Sequence, residues 1–277
     1  MIAPLIESSG SEKLAALTES VSASRLNLWQ QCRLKFYFRH VLGIKKPRTA
    51  PLHLGTSVHE TLRQWNKARW RGDPLTLKQL HDVFRTAWAA QEDDPVDWEN
   101  EEDAQKATGW RLLETYFRES PIAPDEKPEA VEVTVEADLS RHGLPRLVGI
   151  LDLVRSGGTI VDFKTSGQTP VPEKAAHQHE TQTTAYGLLY REATGSVEAG
   201  IELHHLVKLK NPKLVVTSVG PVSEGQKSRL FRIIDSYLNG LDREDYLPAP
   251  GMQCSGCEFF NECRTVRGSC VADFVFN

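Results

Sequence analysis

Two carboxylates and a lysine stand at strand-like spacing near the middle of the chain. Asp152 lies in an apolar stretch, and Asp162 follows ten residues later with Lys164 two positions on. In an extended strand Asp162 and Lys164 share one face, while Val161 and Phe163 point to the other. A carboxylate in an apolar stretch is costly unless it is paired or binds a cation. Such a set can hold a divalent cation beside a bound water, which suits phosphodiester hydrolysis. The alternative is a surface salt bridge.

The cysteines form a second group of candidate ligands. Five cysteines in 277 residues are sparse and odd in number, which is atypical of a disulfide scaffold. Cys254, Cys257 and Cys263 supply three thiolates within ten residues, and the fourth ligand would come from Cys270 or from Cys32. Tetrahedral thiolate coordination suits zinc or an iron–sulfur cluster, and free thiols are the third alternative.

Three further polar residues lie on predicted helices. Gln182 and Tyr186 are four residues apart and therefore share one face of a predicted helix. On spacing alone they are a solvated glutamine and a partly buried tyrosine. His59 lies on another predicted helix, which begins after Gly55, and a lone histidine there is ordinarily packed or solvated.

Five motifs in this order resemble the RecB-like branch of the PD-(D/E)xK nuclease superfamily. They are Ser22-Ala-Ser-Arg25 with Cys32 to Phe38, Gly55-Thr-Ser-Val-His59-Glu60, Gly149-Ile-Leu-Asp152, Asp162-Phe-Lys164, and Gln182-Thr-Thr-Ala-Tyr186. Each motif is common, but the ordered set is specific and spans roughly residues 22 to 263. The resemblance implies an α/β fold with a restriction-endonuclease-like core, in which helices flank a central mixed β-sheet. It also implies a helical insertion over about 75–120 and an iron–sulfur cluster that joins the N- and C-terminal segments.

The resemblance implies a role for each motif residue. His59, Asp152 and Asp162 would hold a catalytic Mg²⁺ or Mn²⁺, and Lys164 would orient or activate the attacking water. Gln182 and Tyr186 would lie beside the active site and help to hold the DNA strand and the lysine. Cluster-bearing relatives, including the AddB nuclease domain and the CRISPR-adaptation nucleases, place one cysteine before the nuclease core and three after it. The implied [4Fe–4S] ligands are Cys32, Cys254, Cys257 and Cys263.

A basic segment surrounds the first of these cysteines. Between Val21 and Val58 the sequence has seven Lys or Arg and no Asp or Glu. Such a segment suits the phosphates of a single strand, and the predicted DNA contacts are Arg25, Arg33, Lys35 and Arg39. The alternative is a solvated charged face. Trp29 and Phe36, which lie among these charges, are predicted to belong to the core.

The remaining pattern predicts the elements that position these residues. Residues 1–20 are predicted to be a loose leader, and 21–277 a single nuclease domain whose cysteine-rich tail covers about 248–277. Period-two alternation or short apolar runs predict strands over 131–137, 147–154, 159–164, 201–208 and 214–219. Helical periodicity predicts helices over 24–36 with Ser24 as the cap, within 75–120, and over 173–194 and 223–238.

Composition sets the broad class. With 40% hydrophobic and 25% charged residues the chain is typical of a soluble globular protein. The net charge of -4 combines +7 from residues 21–58 with -8 from residues 91–103, so it is compatible with a local DNA-binding surface. The sequence shows neither a run of about 18 apolar residues nor a signal peptide. We therefore expect no membrane association and a cytoplasmic protein, in a bacterial cell or a phage-infected host.

The sequence as a whole predicts a Mg²⁺- or Mn²⁺-dependent DNA nuclease. The expected activity is that of an exonuclease on single-stranded DNA or DNA ends, in recombination, repair or the replication of a phage or other mobile element. The chain has no phosphate-binding helicase motif, so a partner would supply any unwinding. An annealing protein, a recombinase or a helicase would suit. The alternative is a non-catalytic iron–sulfur DNA-binding or scaffold protein, which the intact set of charged residues disfavours.

Overall fold

The computed structural model describes residues 13–90, 96–98 and 101–265. The chain folds into two units, each of which is built from separate stretches of sequence. The first unit consists of Met1–Lys46, Glu136–Gly149 and Ser223–Asn277. The second consists of Pro47–Val135 and Ile150–Val222.

The elements are numbered here in chain order. The helices are α1 (Ala23–Gln31), α2 (Arg33–Phe36), α3 (Ala50–Arg71), α4 (Leu77–Ala89), α5 (Glu102–Glu119), α6 (Pro172–Gln178), α7 (Glu180–Thr194), α8 (Glu224–Asp242) and α9 (Phe260–Thr265). The strands are β1 (Ser20–Val21), β2 (Arg48–Thr49), β3 (Val96–Asp97), β4 (Ala130–Ala137), β5 (Arg146–Val154), β6 (Thr159–Ser166), β7 (Gly200–Val207) and β8 (Lys213–Val219). Residues 13–19 are also helical.

The second unit contains a mixed sheet with helices packed on it. Strands β5 and β6 are antiparallel, β6 and β7 are parallel, and β7 and β8 are antiparallel. The β6–β7 ladder runs from the pair Thr159 and Gly200 to the pair Ser166 and Val207. Parallel neighbours need a crossover connection, and α6 and α7 supply it. The sheet therefore has the α/β character that the sequence predicts.

The core of this unit forms where α3, α4 and α5 cover one face of the sheet. Leu62, Phe84, Leu113 and Phe163 are among the buried residues of this cluster. Gly109 lets α5 approach α4 closely, since a Cβ there would lie 2.9 Å from the ring of Phe84. Because Phe163 enters this core, its neighbours along β6 must face the other side of the strand.

The first unit is organised around the aromatic residues of α1, α2 and α8. Trp29 packs edge-on against Phe36 and Tyr237, with ring centroids 5.2 and 5.4 Å apart. Gly240 allows this packing, because a Cβ at that position would lie 2.3 Å from Trp29 Cζ2. Tyr237 also donates a hydrogen bond to the Leu17 carbonyl, 3.1 Å away, which fixes the helix over residues 13–19.

The predicted strands and most helices are confirmed. Each of the five strands lies within two residues of its predicted ends, and the predicted 75–120 segment contains α4 and α5. No helix in the described ranges is both long and apolar enough to cross a membrane. Residues 91–95 and 99–100 of the acidic stretch and residues 1–12 of the leader lie outside those ranges, while residues 13–19 are helical and residues 20–21 pair with the start of β5.

Three predicted helix boundaries are wrong. The first helix is capped by Ser22, whose side chain accepts from the Arg25 amide, and it breaks at Cys32, which is extended (φ -166, ψ 110). Helix α3 begins at Ala50 rather than after Gly55, with a proline in its first turn, where the missing N–H costs nothing. The predicted 173–194 helix is interrupted at His179.

Candidate active site

The charged pair of β6 meets the polar face of α7. Lys164 Nζ donates a hydrogen bond to Gln182 Oε1 at 2.8 Å, and Gln182 Nε2 donates to Asp162 Oδ1 at 3.1 Å. Gln182 Nε2 also lies 2.7 Å from the Tyr186 hydroxyl. The predicted faces are confirmed, because Val161 and the other core residues of β6 point away from this network. One amide thus holds the carboxylate, the ammonium and the phenol together.

Asp162 keeps one oxygen without a hydrogen bond. The residue is only 2% exposed, and its Oδ2 has no hydrogen-bond partner among the described residues. Lys164 Nζ lies 2.7 Å from that oxygen, so the contact is an ion pair whose angles do not suit a hydrogen bond. Lys164 therefore offsets the charge of this buried carboxylate, while the oxygen keeps its capacity to accept a hydrogen bond or to bind a metal ion.

Asp152 approaches the same place from β5. Its Oδ2 accepts a hydrogen bond from the Phe163 amide at 3.0 Å and lies 3.6 Å from His59 Nδ1. Burial, followed by repulsion from Asp162, raises the pKa of Asp152 to about 6. Without a cation, ionisation of Asp152 beside Asp162 is therefore unfavourable. A bound cation would lower the pKa of Asp152 and stabilise both charges.

A clamp of three charged residues, which the sequence did not reveal, lines the pocket beside His59. Arg63 Nε donates to Glu60 Oε2 at 2.6 Å and lies 2.7 Å from Glu132 Oε2. These three residues, His59 and Asp152 border a cavity of about 130 Å³. Glu132 has a φ of +48, which is uncommon for a residue other than glycine. The clamp ties α3, which carries His59, to β4.

Two histidines stand on the other side of Lys164. His205 is the register partner of Lys164 across the parallel β6–β7 ladder, and His179 lies with its ring centroid 5.9 Å from that of His205. His205 is 3% exposed, and its Nε2 has no hydrogen-bond partner within the described ranges. Burial, with the neighbouring His179 and Lys164 charges, lowers the pKa of His205 to about 4. The His205 ring is therefore neutral beside the lysine at pH 7.

The structure brings the predicted metal ligands near one another without closing a ligand cage. Within residues 13–90, 96–98 and 101–265, no group of three or more His, Cys, Asp or Glu is arranged to hold a metal ion. The donor types still fit Mg²⁺ or Mn²⁺, which prefer carboxylate oxygens. The Asp162 oxygen that accepts no hydrogen bond and the raised pKa of Asp152 are both consistent with a cation between these two carboxylates.

The cysteine pocket lies in the first unit. Four cysteines line a cavity of about 300 Å³: Cys32, Cys254, Cys257 and Cys263. Leu34, Phe38 and Phe259 form an apolar cluster against it. All four thiols are free, and burial followed by the charges of the other three raises the pKa of Cys263. Cys270 lies outside the described residues.

The predicted DNA-contacting basic residues all have protein partners. Arg33 pairs with Asp245, and both Lys35 and Arg39 pair with Glu258. Arg25 donates to the Ser20 carbonyl at 2.6 Å. Their contact with DNA stays a prediction. The core positions predicted for Trp29 and Phe36 are confirmed, since these residues are 2% and 0% exposed.

Comparison with known proteins shows a family and a similar fold. The sequence model of the PD-(D/E)XK nuclease superfamily matches residues 20–264. No curated protein matches this chain. A crystal structure from Eubacterium rectale described as "Putative exonuclease" is similar, with a TM-score of 0.58 and 12% identity over 98% of this chain and 96% of that one. At this identity the likeness shows the fold alone. The crystal structure of SSO0001 is 13% identical over 97% of each chain, with a TM-score of 0.38 that carries no argument.

Proposed function

Because this chain belongs to the PD-(D/E)XK nuclease superfamily, we propose that it is a Mg²⁺- or Mn²⁺-dependent deoxyribonuclease. The observation that carries the proposal is the meeting of Asp152, Asp162, Lys164 and Gln182, with one buried and one partly buried carboxylate beside one ammonium. His59, Asp152 and Asp162 would hold the cation. When bound, the cation lowers the pKa of a coordinated water and offsets charge on the scissile phosphate.

The protein's own residues orient the reactants. Gln182 accepts from Lys164 and donates to Asp162, so its amide holds the ammonium at a fixed angle to the carboxylate. The remaining N–H donors of Lys164 can then hold the attacking water and the phosphate oxygen that gains charge. The water forms a bond to phosphorus and releases a proton to solvent as the bond to the leaving sugar oxygen breaks, and that oxygen takes a proton from solvent. Tyr186, whose pKa is raised by burial and by Asp162, stays protonated, and its oxygen accepts from Gln182 Nε2.

We further propose that the substrate is single-stranded DNA or a DNA end and that the enzyme is an exonuclease. The name of the structural relative supports the exonuclease part of the proposal. Recombination, repair and the replication of a phage or other mobile element are the settings in which this activity would serve. An annealing protein, a recombinase or a helicase would present the strand.

The test is degradation of end-labelled single-stranded and duplex DNA with Mn²⁺ or Mg²⁺. Lys164→Met keeps the side-chain length and removes the charge, and Lys213→Met on β8 is the matched control. We expect Lys164→Met to lose about 10²–10⁴-fold in rate and the control to keep the parent rate. Equal degradation by both variants would overturn the catalytic assignment. Absence of cleavage by the parent, with DNA still bound, would favour the non-catalytic DNA-binding alternative.

We propose that the four cysteines of the cysteine pocket hold a [4Fe–4S] cluster. Their placement around one cavity and their free thiols support it. The cluster would crosslink α2 to the segment after α8. Anaerobically purified protein should be brown and contain iron and sulfide, and Cys32→Ala should bleach it while Cys270→Ala does not. A colourless protein with stoichiometric zinc would support the zinc alternative and overturn the cluster.

A further inference from the structure

The two strands that carry the proposed metal-binding carboxylates separate at Asp152. In the described strands the β5–β6 ladder has two residue pairs, Leu153 with Val161 and Val154 with Ile160. Beyond them the Phe163 amide donates to Asp152 Oδ2 at 3.0 Å, so a side chain of β5 takes the amide instead of its main chain. The strands therefore part between residues 150–152 of β5 and residues 162–164 of β6. We call this opening the strand fork.

Ile150 lies in the strand fork on the same face of β5 as Asp152. The two residues are two positions apart in one strand, so their side chains point the same way and their Cα atoms are about 7 Å apart. Leu151 and Leu153, which alternate with them, are 2% and 0% exposed, whereas Ile150 is 47% exposed. Ile150 therefore presents an apolar side chain beside the candidate active site.

The cavity beside Asp152 offers a different kind of surface. It is the cavity of about 130 Å³ at His59, and the clamp of Glu60, Arg63 and Glu132 supplies much of its lining. Ile150 does not line it. Charged groups lose solvation under the flat face of a base, so a base gains little in that cavity. The surroundings of Asp152 thus have a charged part and an apolar part.

A nucleotide chain matches this division. Its phosphates are charged, and its bases have flat faces that pack on side chains. The proposed function places the scissile phosphate at Asp152 and Asp162, and a sugar with its base is joined directly to that phosphate. A single exposed aliphatic side chain is ordinary on a protein surface. Ile150 differs from such a residue because it shares a strand face with a proposed metal ligand.

We propose that Ile150 contacts the base of a nucleotide joined to the scissile phosphate, an inference that rests on the proposed nuclease function. The contact holds that nucleotide and thereby helps to place its phosphate at the two carboxylates. Isoleucine has no side-chain donor or acceptor, so it covers the face of a base without reading the hydrogen-bonding groups on the base edge. The contact is therefore independent of base identity.

The test compares two fluorescein-labelled chains of equal length, an oligothymidylate and a deoxyribose-phosphate chain that lacks bases. Binding by the full chain carrying Lys164→Met is measured by anisotropy in Mg²⁺. Adding Ile150→Ala should weaken binding of the oligothymidylate about fivefold and leave binding of the base-free chain unchanged. Ile150→Val should keep most of the affinity.

Val197→Ala is the matched control. Val197 is 63% exposed, belongs to the same unit and lies between α7 and β7, outside the strand fork. This variant should bind both chains as its parent does. A melting temperature of Ile150→Ala that equals that of the control would show that the fold is kept.

Two results would overturn the proposed contact. The first is an equal loss of affinity for both chains, which would mean that Ile150 does not act through a base. The second is unchanged affinity for both chains in an Ile150→Ala variant that melts like the control. A parent that binds neither chain would overturn the proposed function itself, and the inference with it. The assay needs no cleavage, so these outcomes are distinguishable.

Discussion

Asp152→Asn should stabilise the metal-free protein at neutral pH while it abolishes cleavage. Burial and Asp162 raise the pKa of Asp152 from its ordinary 3.8 to about 6. At pH 7 the carboxylate is charged in the folded and unfolded states, and the folded state bears the cost of that charge. Two pKa units at about 1.36 kcal/mol each amount to about 3 kcal/mol, an upper estimate for a side chain that is 21% exposed. Asparagine removes this cost and can still accept from the Phe163 amide.

The gain should depend on pH in a defined direction. Well below pH 3.8 Asp152 is protonated in both states, so the variant and the parent should be equally stable with respect to this group, and at pH 4 the difference should still be small. As the pH rises from 4 to 6 the unfolded state releases its proton first, and the parent loses stability that the variant keeps. Urea denaturation in EDTA at pH 4 and at pH 7.5 measures the difference in unfolding free energy between variant and parent at each pH. Added Mg²⁺ should stabilise the parent at pH 7.5 and leave the variant unchanged.

Asp138→Asn is the control for this experiment. Asp138 has a lowered pKa, chiefly because its carboxylate accepts from the Ser140 amide, so its neutralisation should not stabilise the protein at any pH. The reasoning about Asp152 would be refuted by equal stability of parent and Asp152→Asn at pH 7.5 in EDTA. It would also be refuted by a gain of the same size at pH 4.

Three other substitutions test separate parts of the structure. Tyr186→Phe should leave stability nearly unchanged and lower kcat more than it raises KM, because the hydroxyl contacts Gln182 inside the catalytic network. Arg63→Met should raise the Mg²⁺ concentration needed for half-maximal rate, since the link from α3 to β4 through Glu132 is lost; an unchanged metal requirement would remove the clamp from the mechanism. Glu198→Ala should cost about 3–5 kcal/mol in urea denaturation, because it leaves the Arg191 guanidinium without its buried carboxylate partner.

The faces of β6 could be predicted from the sequence because their cause is local. Alternation in an extended chain fixes that Phe163 enters the core and that Asp162 and Lys164 do not, whatever surrounds the strand. Helical spacing likewise put Gln182 and Tyr186 together, and the structure joins them by a hydrogen bond. Such local features can be predicted without knowing the order of the strands in the sheet.

Other features arise only from tertiary structure. His205 lies beside Lys164 because β7 pairs with β6 in one register, and the pattern of β7 does not state its partner. The left-handed backbone of Glu132 follows from its position against Arg63, and glutamate gives no local sign of it. The sequence also gives no local sign of the helix break at Cys32, because a cysteine between two helical stretches does not by itself end a helix.

One missed boundary did carry a sequence signal. Pro51 lies in the first turn of α3, the helix position that proline prefers. It therefore indicates the true start of the helix, which the prediction placed after Gly55. The pairing of Lys35 and Arg39 with Glu258 had no such signal. The acid lies far along the chain, and only the fold of the first unit brings it to α2.

The parallel pairing of β6 with β7 has a consequence for protein synthesis. Asp162 and Lys164 leave the ribosome long before β7, and a parallel strand cannot pair with β6 until α6, α7 and β7 have all been made. The amide of Gln182 that fixes the lysine also emerges later than the lysine itself. A growing chain therefore carries its acidic and basic groups unassembled until Val207 has been added. The set of residues proposed to carry out cleavage can therefore assemble only late in synthesis.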